Sequence, residues 1–276
     1  MAWFMGIDIG SAYSKGVITR DNQLSAYYVI LSGANYRTAA ETIRQELLAK
    51  ASLVQDDITD TVATGSGAGN VYFASQKVSD IVCTARGINT VFPTARTVID
   101  VAGQSTKVMR IDAQGLVVNF AVSEKCAAGS GRFIEVIANV LRMDLQDFGL
   151  LALKAKNPIT FSTGCAVFGE SEAITRVSEG IPKEDIAAGV NKALADKASS
   201  LVKKVRLEEP CAICGGGALN VGLISTMEHE LNIQLLVPPQ PQVTTALGAA
   251  VSARGGKCRS RDGSSDPSQG WGGGQT

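Results

Sequence analysis

The chain carries one eight-residue pattern twice, first as DIGSAYSK at residues 8–15 and again as DVAGQSTK at residues 100–107. Each copy begins with an aspartate near the end of an apolar run, passes through small and polar residues, and ends on a lysine. An apolar run, a turn and a second apolar run follow both copies, which is the pattern of a strand–loop–strand unit. An internal repeat of this kind predicts two similar domains that face each other.

Both loops have the composition of a phosphate-binding turn. Small residues let backbone N–H groups approach an anion closely, and serine and threonine hydroxyls add further donors. Asp8 and Asp100 are the candidate catalytic residues, because a carboxylate at a strand end can hold Mg²⁺ through water. A tight hairpin in which the aspartate only forms the turn is the alternative for either loop alone.

A glycine-rich turn follows later in the chain, in CAICGGGALN at residues 211–220. The pattern predicts a short strand, three glycines at residues 215–217 and then a helix, which suits a turn that cradles a nucleotide. The Cys211 and Cys214 pair suggests metal or redox chemistry, but side chains three apart on a strand point to opposite faces. We therefore interpret both as core cysteines, like Cys83 in an earlier predicted helix.

Two further cysteines stand directly before predicted helices. Cys126 lies in EKCAAGSGRF at residues 124–133, and Cys165 lies in FSTGCAVFGESE at residues 161–172. Helix N-termini favour negative charge, so both places suit a thiolate or a cluster bound by thiolates. A small apolar core residue is the alternative for each cysteine taken alone.

Helical and polar patterns divide the rest of the chain. Thr38 to Ala51 has helical spacing and opens on a Thr38/Glu41 capping box. A long amphipathic helix is predicted from Pro182 onward, and an Ala- and Gly-rich helix closes the ordered part. The predicted organisation is an N-terminal domain at residues 1–95, a second domain at 96–254 and a disordered tail at 255–276.

The composition argues against several classes of function. The 276 residues are 45% hydrophobic, and 26 basic residues balance 26 acidic ones, so the basic field that nucleic acid requires is missing. No run of about 20 apolar residues and no leader segment is visible, so we expect a soluble, cytoplasmic protein without a membrane partner. The single histidine, His229, excludes a His-based triad or zinc site, and six irregularly spaced cysteines make a disulfide framework a poor interpretation.

Five segments together resemble one protein family. In chain order they are GIDIGSAYSK, DVAGQSTKV, EKCAAGSGRF, FSTGCAVFGESE and CGGGALN. They are similar to the ATPase family that activates 2-hydroxyacyl-CoA dehydratases and forms part of benzoyl-CoA reductases, and the resemblance extends to about Arg254. It implies an α/β, two-domain actin/hexokinase/Hsp70-like (ribonuclease H-like) ATPase fold.

The resemblance implies that ATP or ADP binds with Mg²⁺ between the two domains. Asp8 and Asp100 would then face the same phosphates from opposite domains. The segments that would contact the phosphates are the first loop to Lys15 and the second loop from Asp100 to Lys107. The implied cofactor-binding residues are Ser11, Ala12, Tyr13, Ser14, Lys15, Gly103, Gln104, Gly215, Gly216, Gly217 and Gln242.

The resemblance also implies a [4Fe–4S] cluster at the interface of a homodimer or of two related subunits. Each chain would supply two ligands, Cys126 and Cys165, which matches the four thiolates that such a cluster needs. The implied role is to pass low-potential electrons from ferredoxin or flavodoxin to a CoA-thioester dehydratase or an aromatic-ring reductase, driven by ATP. Nucleotide-dependent domain closure would rotate the helices that begin beside the cysteines.

The second loop departs from the family pattern, which reads D-I-G-G-Q-D. This chain has Ala102 in place of a glycine and Ser105 in place of the last aspartate. The changes add a Cβ and remove a carboxylate, so they bear on the rate of ATP hydrolysis and favour a specialised subunit of a hetero-oligomeric reductase. Two other functions remain open: a sugar-type kinase of the same fold with Asp100 as base, and a nucleotide-dependent scaffold protein.

Overall fold

Two five-stranded sheets form the framework of the chain. The computed structural model describes residues 2–123, 130–162 and 166–254. The strands of the first sheet are β1 (Trp3–Ile9), β2 (Tyr13–Arg20), β3 (Gln23–Leu31), β4 (Ile58–Thr64) and β5 (Gln76–Lys77). Those of the second are β6 (Thr97–Val101), β7 (Thr106–Ile111), β8 (Val117–Val122), β9 (Cys211–Cys214) and β10 (Leu235–Leu236).

The two sheets have the same topology. The first has the order β3-β2-β1-β4-β5, and the second, read in the same sense, has the order β8-β7-β6-β9-β10. In each, a central strand pairs antiparallel with its hairpin partner and parallel with a later strand: β1 with β2 and β4, and β6 with β7 and β9. The sequence repeat is therefore a repeat of the fold.

Helices cover the sheets. Within the described residues they are α1 (Tyr36–Ala51), α2 (Asp80–Val91), α3 (Gly131–Val140), α4 (Leu145–Ala152), α5 (Ala166–Ser178), α6 (Lys183–Val205), α7 (Val221–Leu231) and α8 (Thr244–Arg254). None of these helices combines the length and the apolar character needed to cross a membrane. The helices predicted after each cysteine segment are α3 and α5, and the predicted long amphipathic helix is α6.

Helix α1 begins earlier than the sequence pattern predicts. Asn35 is its N-cap, and the side-chain Oδ1 accepts hydrogen bonds from the N–H groups of Arg37 and Thr38 at 3.0 and 3.1 Å. The predicted Thr38/Glu41 capping box is therefore wrong. Thr38 lies inside the first turn, where its N–H is already satisfied, and Glu41 accepts instead from Arg44 on the next turn.

Each sheet packs against its own helices. In the first half, Ile7 on β1 joins Ile43 and Leu47 of α1 in one fully buried cluster. In the second half, Phe133 of α3 and Phe148 of α4 belong to a larger cluster that also includes α6. Two separate cores of this kind are what a two-domain protein requires.

Helices α2 and α8 connect the two halves. Helix α8 follows the second sheet in sequence but packs against β1, β2 and β4 of the first sheet, while α2 also contacts the second sheet through Ile88. The helices approach closely because a Cβ on Gly87 would collide with the Thr244 carbonyl and one on Gly248 with the Cys83 carbonyl. The domain boundary between residues 95 and 96 stays a prediction. Helix α8 belongs to the predicted second domain by sequence but packs on the first sheet.

Candidate functional site

The repeated aspartates and lysines face each other across the two hairpins. Asp8 lies opposite Lys15 in the β1–β2 pair, and Asp100 lies opposite Lys107 in the β6–β7 pair. The Lys15 Nζ atom is 3.1 Å from Asp8 Oδ2, and Lys107 Nζ is 3.6 Å from Asp100 Oδ2. The hairpin register thus places a carboxylate and an ammonium side by side at the end of each central strand.

A glycine turn lies against each aspartate. Gly65 follows β4 with φ +84°, and Gly215 follows β9 with φ +82°. A Cβ on Gly65 would collide with Asp8 Oδ1, and a Cβ on Gly215 would collide with Asp100 Oδ1. Both the backbone conformation and the available space therefore require glycine at these two positions.

Both hairpin loops and both glycine turns line one cleft of about 860 Å³. This volume falls in the range of sites that bind nucleotide-sized ligands. The loops approach each other there, since a Cβ on Gly103 would lie 3.1 Å from the Ala12 Cβ. The cleft brings together these sequence-predicted residues: Asp8, Ser11, Ala12, Tyr13, Lys15, Asp100, Gly103, Gln104, Gly215, Gly216, Gly217 and Gln242.

Ser14 is the predicted phosphate-binding residue that does not line the cleft. Its side chain is fully buried, and its hydroxyl lies 2.8 Å from the Ser32 hydroxyl, which in turn donates to the Gly10 carbonyl. Alternation along β2 explains the placement, because Ser14 and Lys15 point to opposite faces of the sheet. Ser14 braces the loop from inside, and its placement does not support the predicted contact with phosphate.

The second half concentrates charge around Lys107. Its ammonium lies 2.5 Å from Asp80 Oδ2 as well as near Asp100. Burial, which by itself lowers the pKa of Lys107, is outweighed by Asp100 and Asp80, and the pKa of this lysine rises. Burial raises the pKa of Asp100 above its usual range, against the opposing charges of Lys107 and Lys15.

Sequence reasoning missed part of the cleft wall. Asp80, the first residue of α2, lines the cleft, as do Gly65, Ser66 and Thr245. A second repeat would have revealed two of them, because GSGAGN at residues 65–70 matches GGGALN at 215–220 in both sequence and position after a strand. No local signal marks the residues that α3 and α4 contribute, which are Gly131, Ile134, Glu135, Leu145 and Gln146.

The three described cysteines are core residues, as the sequence predicts. Cys211 packs in the core on the α6 side of the second sheet and Cys214 in the core on the α2 side, so the pair does point to opposite faces. Burial raises the pKa of Cys83 and of Cys211 to about 12 in each case. Such thiols stay protonated and are poor metal ligands.

Cys126 and Cys165 lie outside the described residues, as do Cys258 and the predicted tail. The helices that follow them, α3 and α5, meet at their first turns. The Phe133 ring packs edge-to-face on Phe161 at 5.3 Å, and a Cβ on Gly169 of α5 would collide with that same Phe133 ring. The chain therefore leads the two cysteine segments into neighbouring helix N-termini.

Ala102 causes no backbone strain in the second loop. Its φ is not positive, and its N–H donates to the Ser105 carbonyl at 3.0 Å. In the first loop, by contrast, a Cβ on Gly10 would collide with the Tyr13 carbonyl oxygen. The second loop thus accepts a side chain where the first cannot.

Comparison with known proteins agrees with this geometry. A model of the BadF/BadG/BcrA/BcrD ATPase family matches residues 5–253. The chain is 39% identical over 249 residues to the 2-hydroxyisocaproyl-CoA dehydratase activator of Clostridioides difficile, covering 90% of this chain and 94% of that protein. It is 30% identical over 257 residues to a component of the benzoyl-CoA reductase of Thauera aromatica, covering 89% and 91%.

Solved structures share the architecture. The activator of the 2-hydroxyisocaproyl-CoA dehydratase from Clostridium difficile with bound ADPNP matches 91% of this chain and 94% of that chain, with TM-score 0.86 and 38% identity. A ROK family glucokinase from Streptomyces griseus matches 92% of this chain and 100% of its own, with TM-score 0.58 and 16% identity, which is a likeness of fold alone. The predicted two-domain actin-like fold, shared with sugar kinases, is confirmed.

Proposed function

Because this chain belongs to the BadF/BadG/BcrA/BcrD ATPase family, we propose that it is an ATP-driven electron-transfer protein. It takes low-potential electrons from ferredoxin or flavodoxin and delivers them, by way of an interface [4Fe–4S] cluster, to a partner enzyme. The partner is a 2-hydroxyacyl-CoA dehydratase or a benzoyl-CoA reductase, the two kinds of protein that the names of its relatives mention.

The observation that carries the ATP part is the paired geometry of the cleft. Two hairpin loops and two glycine turns converge there, each with an aspartate at its base, and a structural relative holds ADPNP. Backbone N–H groups in the loops and the ammonium groups of Lys15 and Lys107 offset phosphate charge. Asp8 and Asp100 lie at equivalent positions and would hold a Mg²⁺ ion that balances the phosphate charge.

The donor set of the cleft fits Mg²⁺. Across residues 2–123, 130–162 and 166–254, no three His, Cys, Asp or Glu side chains converge as a metal site by themselves. A binding mode with one or two carboxylates plus phosphate oxygens and water is typical of Mg²⁺. Asp8 and Asp100 supply those carboxylates, so the residues fit a magnesium ion that arrives with the nucleotide.

The cysteines fit a cluster shared between two chains. Cys83, Cys211 and Cys214 are separately buried and unsuited to ligation. Cys126 and Cys165, which precede the adjoining first turns of α3 and α5, are the proposed ligands, and two chains supply the four thiolates that a [4Fe–4S] cluster needs. Such a cluster accepts and releases single electrons when bound. The dimer is a homodimer or a pair of related subunits.

In this proposal the nucleotide bound in the cleft determines how closely the two halves of the chain approach each other. The loops around Ala12 and Gly103 come from opposite halves, so phosphates bound between them draw the halves together. The α2–α8 contact, closely packed at Gly87 and Gly248, is the pivot for that motion. Because α3 lines the cleft through Ile134 and also follows the Cys126 segment, closure reaches the proposed ligand segment directly.

The test compares cysteine variants of anaerobically purified protein. The wild type should be brown, with about four irons for every two chains. Cys126→Ser and Cys165→Ser should lose the colour and the iron, while Cys258→Ser, the matched control, should keep both. All four proteins should still bind ATP in a calorimetric titration, because the described wall of the cleft is the same in each.

Two results would overturn the proposal. If the wild type stays colourless after anaerobic reconstitution with iron and sulfide yet binds ATP, the cluster assignment is wrong and a kinase of the same fold becomes the better hypothesis. If Cys126→Ser and Cys258→Ser keep equal iron, the cluster is held by other residues.

A further inference from the structure

The first turn of α3 is hydrogen-bonded to the second phosphate loop. The Gly131 N–H donates to the Ala102 carbonyl at 2.9 Å, and the Arg132 N–H donates to the Gly103 carbonyl at 3.0 Å. The first N–H groups of a helix have no acceptor within the helix itself. The N-cap, Ser130, provides no side-chain cap hydrogen bond, so the loop carbonyls are the acceptors for this end of α3.

These bonds fix the direction of two loop N–H groups. In a trans peptide unit the carbonyl and the following N–H point in opposite directions. With the Ala102 and Gly103 carbonyls held by α3, the N–H groups of Gly103 and Gln104 point away from α3. Both residues line the cleft, so α3 sets the direction of these N–H groups at the cleft wall.

Helix α3 is anchored in the core of the second half and is therefore held in place next to the loop. Phe133 and Ile134 are almost fully buried, and Phe133 contacts both Phe161 and the first turns of α5. A side chain on Gly131 would already lie 3.3 Å from the Ala102 carbonyl oxygen, so the helix and the loop are in direct contact. A shift of the loop therefore shifts the start of α3.

We propose that Gly131 and Arg132 are positioning residues of the nucleotide site, acting through their backbone N–H groups. They hold the Ala102–Gly103 peptide units so that the N–H groups of Gly103 and Gln104 meet the phosphates. Since residues 124–130 lead directly into α3, the same two bonds link phosphate occupancy to the segment that carries Cys126. This inference rests on the proposed ATP function, and it identifies the hydrogen-bonded contact through which bound nucleotide would act on the Cys126 segment.

Gly131→Pro removes one of the two bonds, and its Cδ, which takes the place of the amide hydrogen, also pushes the Ala102 carbonyl away. Gly131 is the first residue of α3, where proline is favoured because its missing N–H is not needed within the helix. Ser130 has φ −148° and ψ 169°, which is the extended conformation that the residue before a proline requires. Gly131→Ala is the matched control, since it adds a Cβ at the same place and keeps the N–H donor.

The first measurement is the affinity for Mg²⁺-ADPNP by calorimetry. We expect Gly131→Pro to bind at least about three- to tenfold more weakly than Gly131→Ala, because it loses one neutral hydrogen bond and displaces the loop carbonyl that accepted it. Circular dichroism and thermal unfolding of both variants check that α3 persists. Equal affinities in two folded variants would overturn the inference.

The second measurement is hydrogen–deuterium exchange of peptides covering α3 in the wild type, with and without Mg²⁺-ADPNP. Nucleotide should slow exchange in the first turn of α3, and the effect should survive in Gly131→Ala and shrink in Gly131→Pro. An α3 that is indifferent to bound nucleotide in the wild type would contradict the inference even if the proline variant fails to fold. Neither measurement needs iron. A missing cluster would therefore overturn the proposed electron transfer, while the contact between α3 and the second loop could still be confirmed or refuted.

Discussion

The two halves of the cleft share a hairpin and a glycine turn but differ in what joins them. In the first half the α-helix between β3 and β4 is α1, whereas the described part of the connection between β8 and β9 in the second half holds α3 to α6. Both cysteine segments and the loop contact of α3 belong to that longer connection. The phosphate-type loop is thus duplicated, while the proposed coupling to the cysteine segments is confined to one half.

The charges differ between the halves as well. Among the described residues, Lys15 forms an ion pair with Asp8, whereas Lys107 lies between Asp80 and Asp100. Asp80 lies at the start of α2, the helix that follows β5. In the other half the helix that follows β10 is α8, and near its start a threonine, Thr245, lines the cleft. The second hairpin is therefore the more strongly bound by ion pairs, and substitutions in the two halves should differ accordingly.

The largest effect is expected from Lys107→Met. This substitution removes the ammonium that lies between Asp80 and Asp100, and removing one partner of a buried ion pair typically costs about 3–5 kcal/mol. Lys15→Met, the matched change, leaves one carboxylate and should cost less. Urea unfolding of both variants measures the difference.

A double variant, Lys107→Met with Asp80→Asn, tests whether the loss of stability comes from the two carboxylates. Removing a carboxylate from the unbalanced site should recover part of the lost free energy of unfolding. Equal costs for the two lysine variants, or no recovery in the double variant, would show that the halves are electrostatically equivalent.

Glycine variants should give the next largest effect, and it should be alike in both halves. Gly65→Ala and Gly215→Ala force a side chain into a positive-φ conformation and into contact with Asp8 or Asp100, at a cost of about 2 kcal/mol or more. Gly216→Ala is the control, because nothing lies within 4 Å of its added Cβ. Thermal unfolding measures all three, and a control as unstable as Gly215→Ala would contradict the argument from space.

The smallest expected effect is a pH dependence that belongs to the second half. The pKa of Asp100 is raised by burial, so its proton binds more tightly in the folded protein than at the ordinary value of 3.8. As the pH falls through that raised pKa, Asp100 loses the charge that holds Mg²⁺, and affinity for Mg²⁺-ADP should fall at a pH where an ordinary aspartate is still ionised.

The same proton has the opposite effect on stability. Ionisation of Asp100 lowers the free energy of unfolding as the pH rises from 3.8 to the raised pKa, beyond which its contribution is constant. Calorimetric titrations of Mg²⁺-ADP across this acid range should show the fall beginning at a higher pH in the wild type than in Asp100→Asn. A wild-type affinity that stays constant there would show that the carboxyl is not perturbed.

Much of the duplicated half-site is predictable from sequence, because its signals are local. The aspartate-to-lysine spacing of seven residues sets the hairpin register in both halves. The strand-to-glycine pattern at 211–217 likewise predicts the Gly215 turn. Alternation on β9 predicts that Cys211 and Cys214 face different cores, and the structure agrees.

What the sequence does not reveal depends on long-range contacts. Asp80 reaches Lys107 only because α2 lies between the two sheets. Residues of α3 and α4, such as Ile134 and Leu145, join the cleft only because the second half folds back on its loop. The start of α1 differs from the predicted one for another reason: Asn35 and Thr38 are both good cap residues, and only the backbone conformation selects Asn35.

The most direct test of the coupling is the rate at which a chelator removes iron from the anaerobically purified protein in two nucleotide states. We expect about two irons per chain, and a chelation rate that differs several-fold between Mg²⁺-ADP and Mg²⁺-ADPNP, because phosphate occupancy moves α3. Iron that leaves at the same rate in both states, or a nucleotide-binding protein that holds no iron, would contradict the claim that the duplicated cleft controls a centre in the second half.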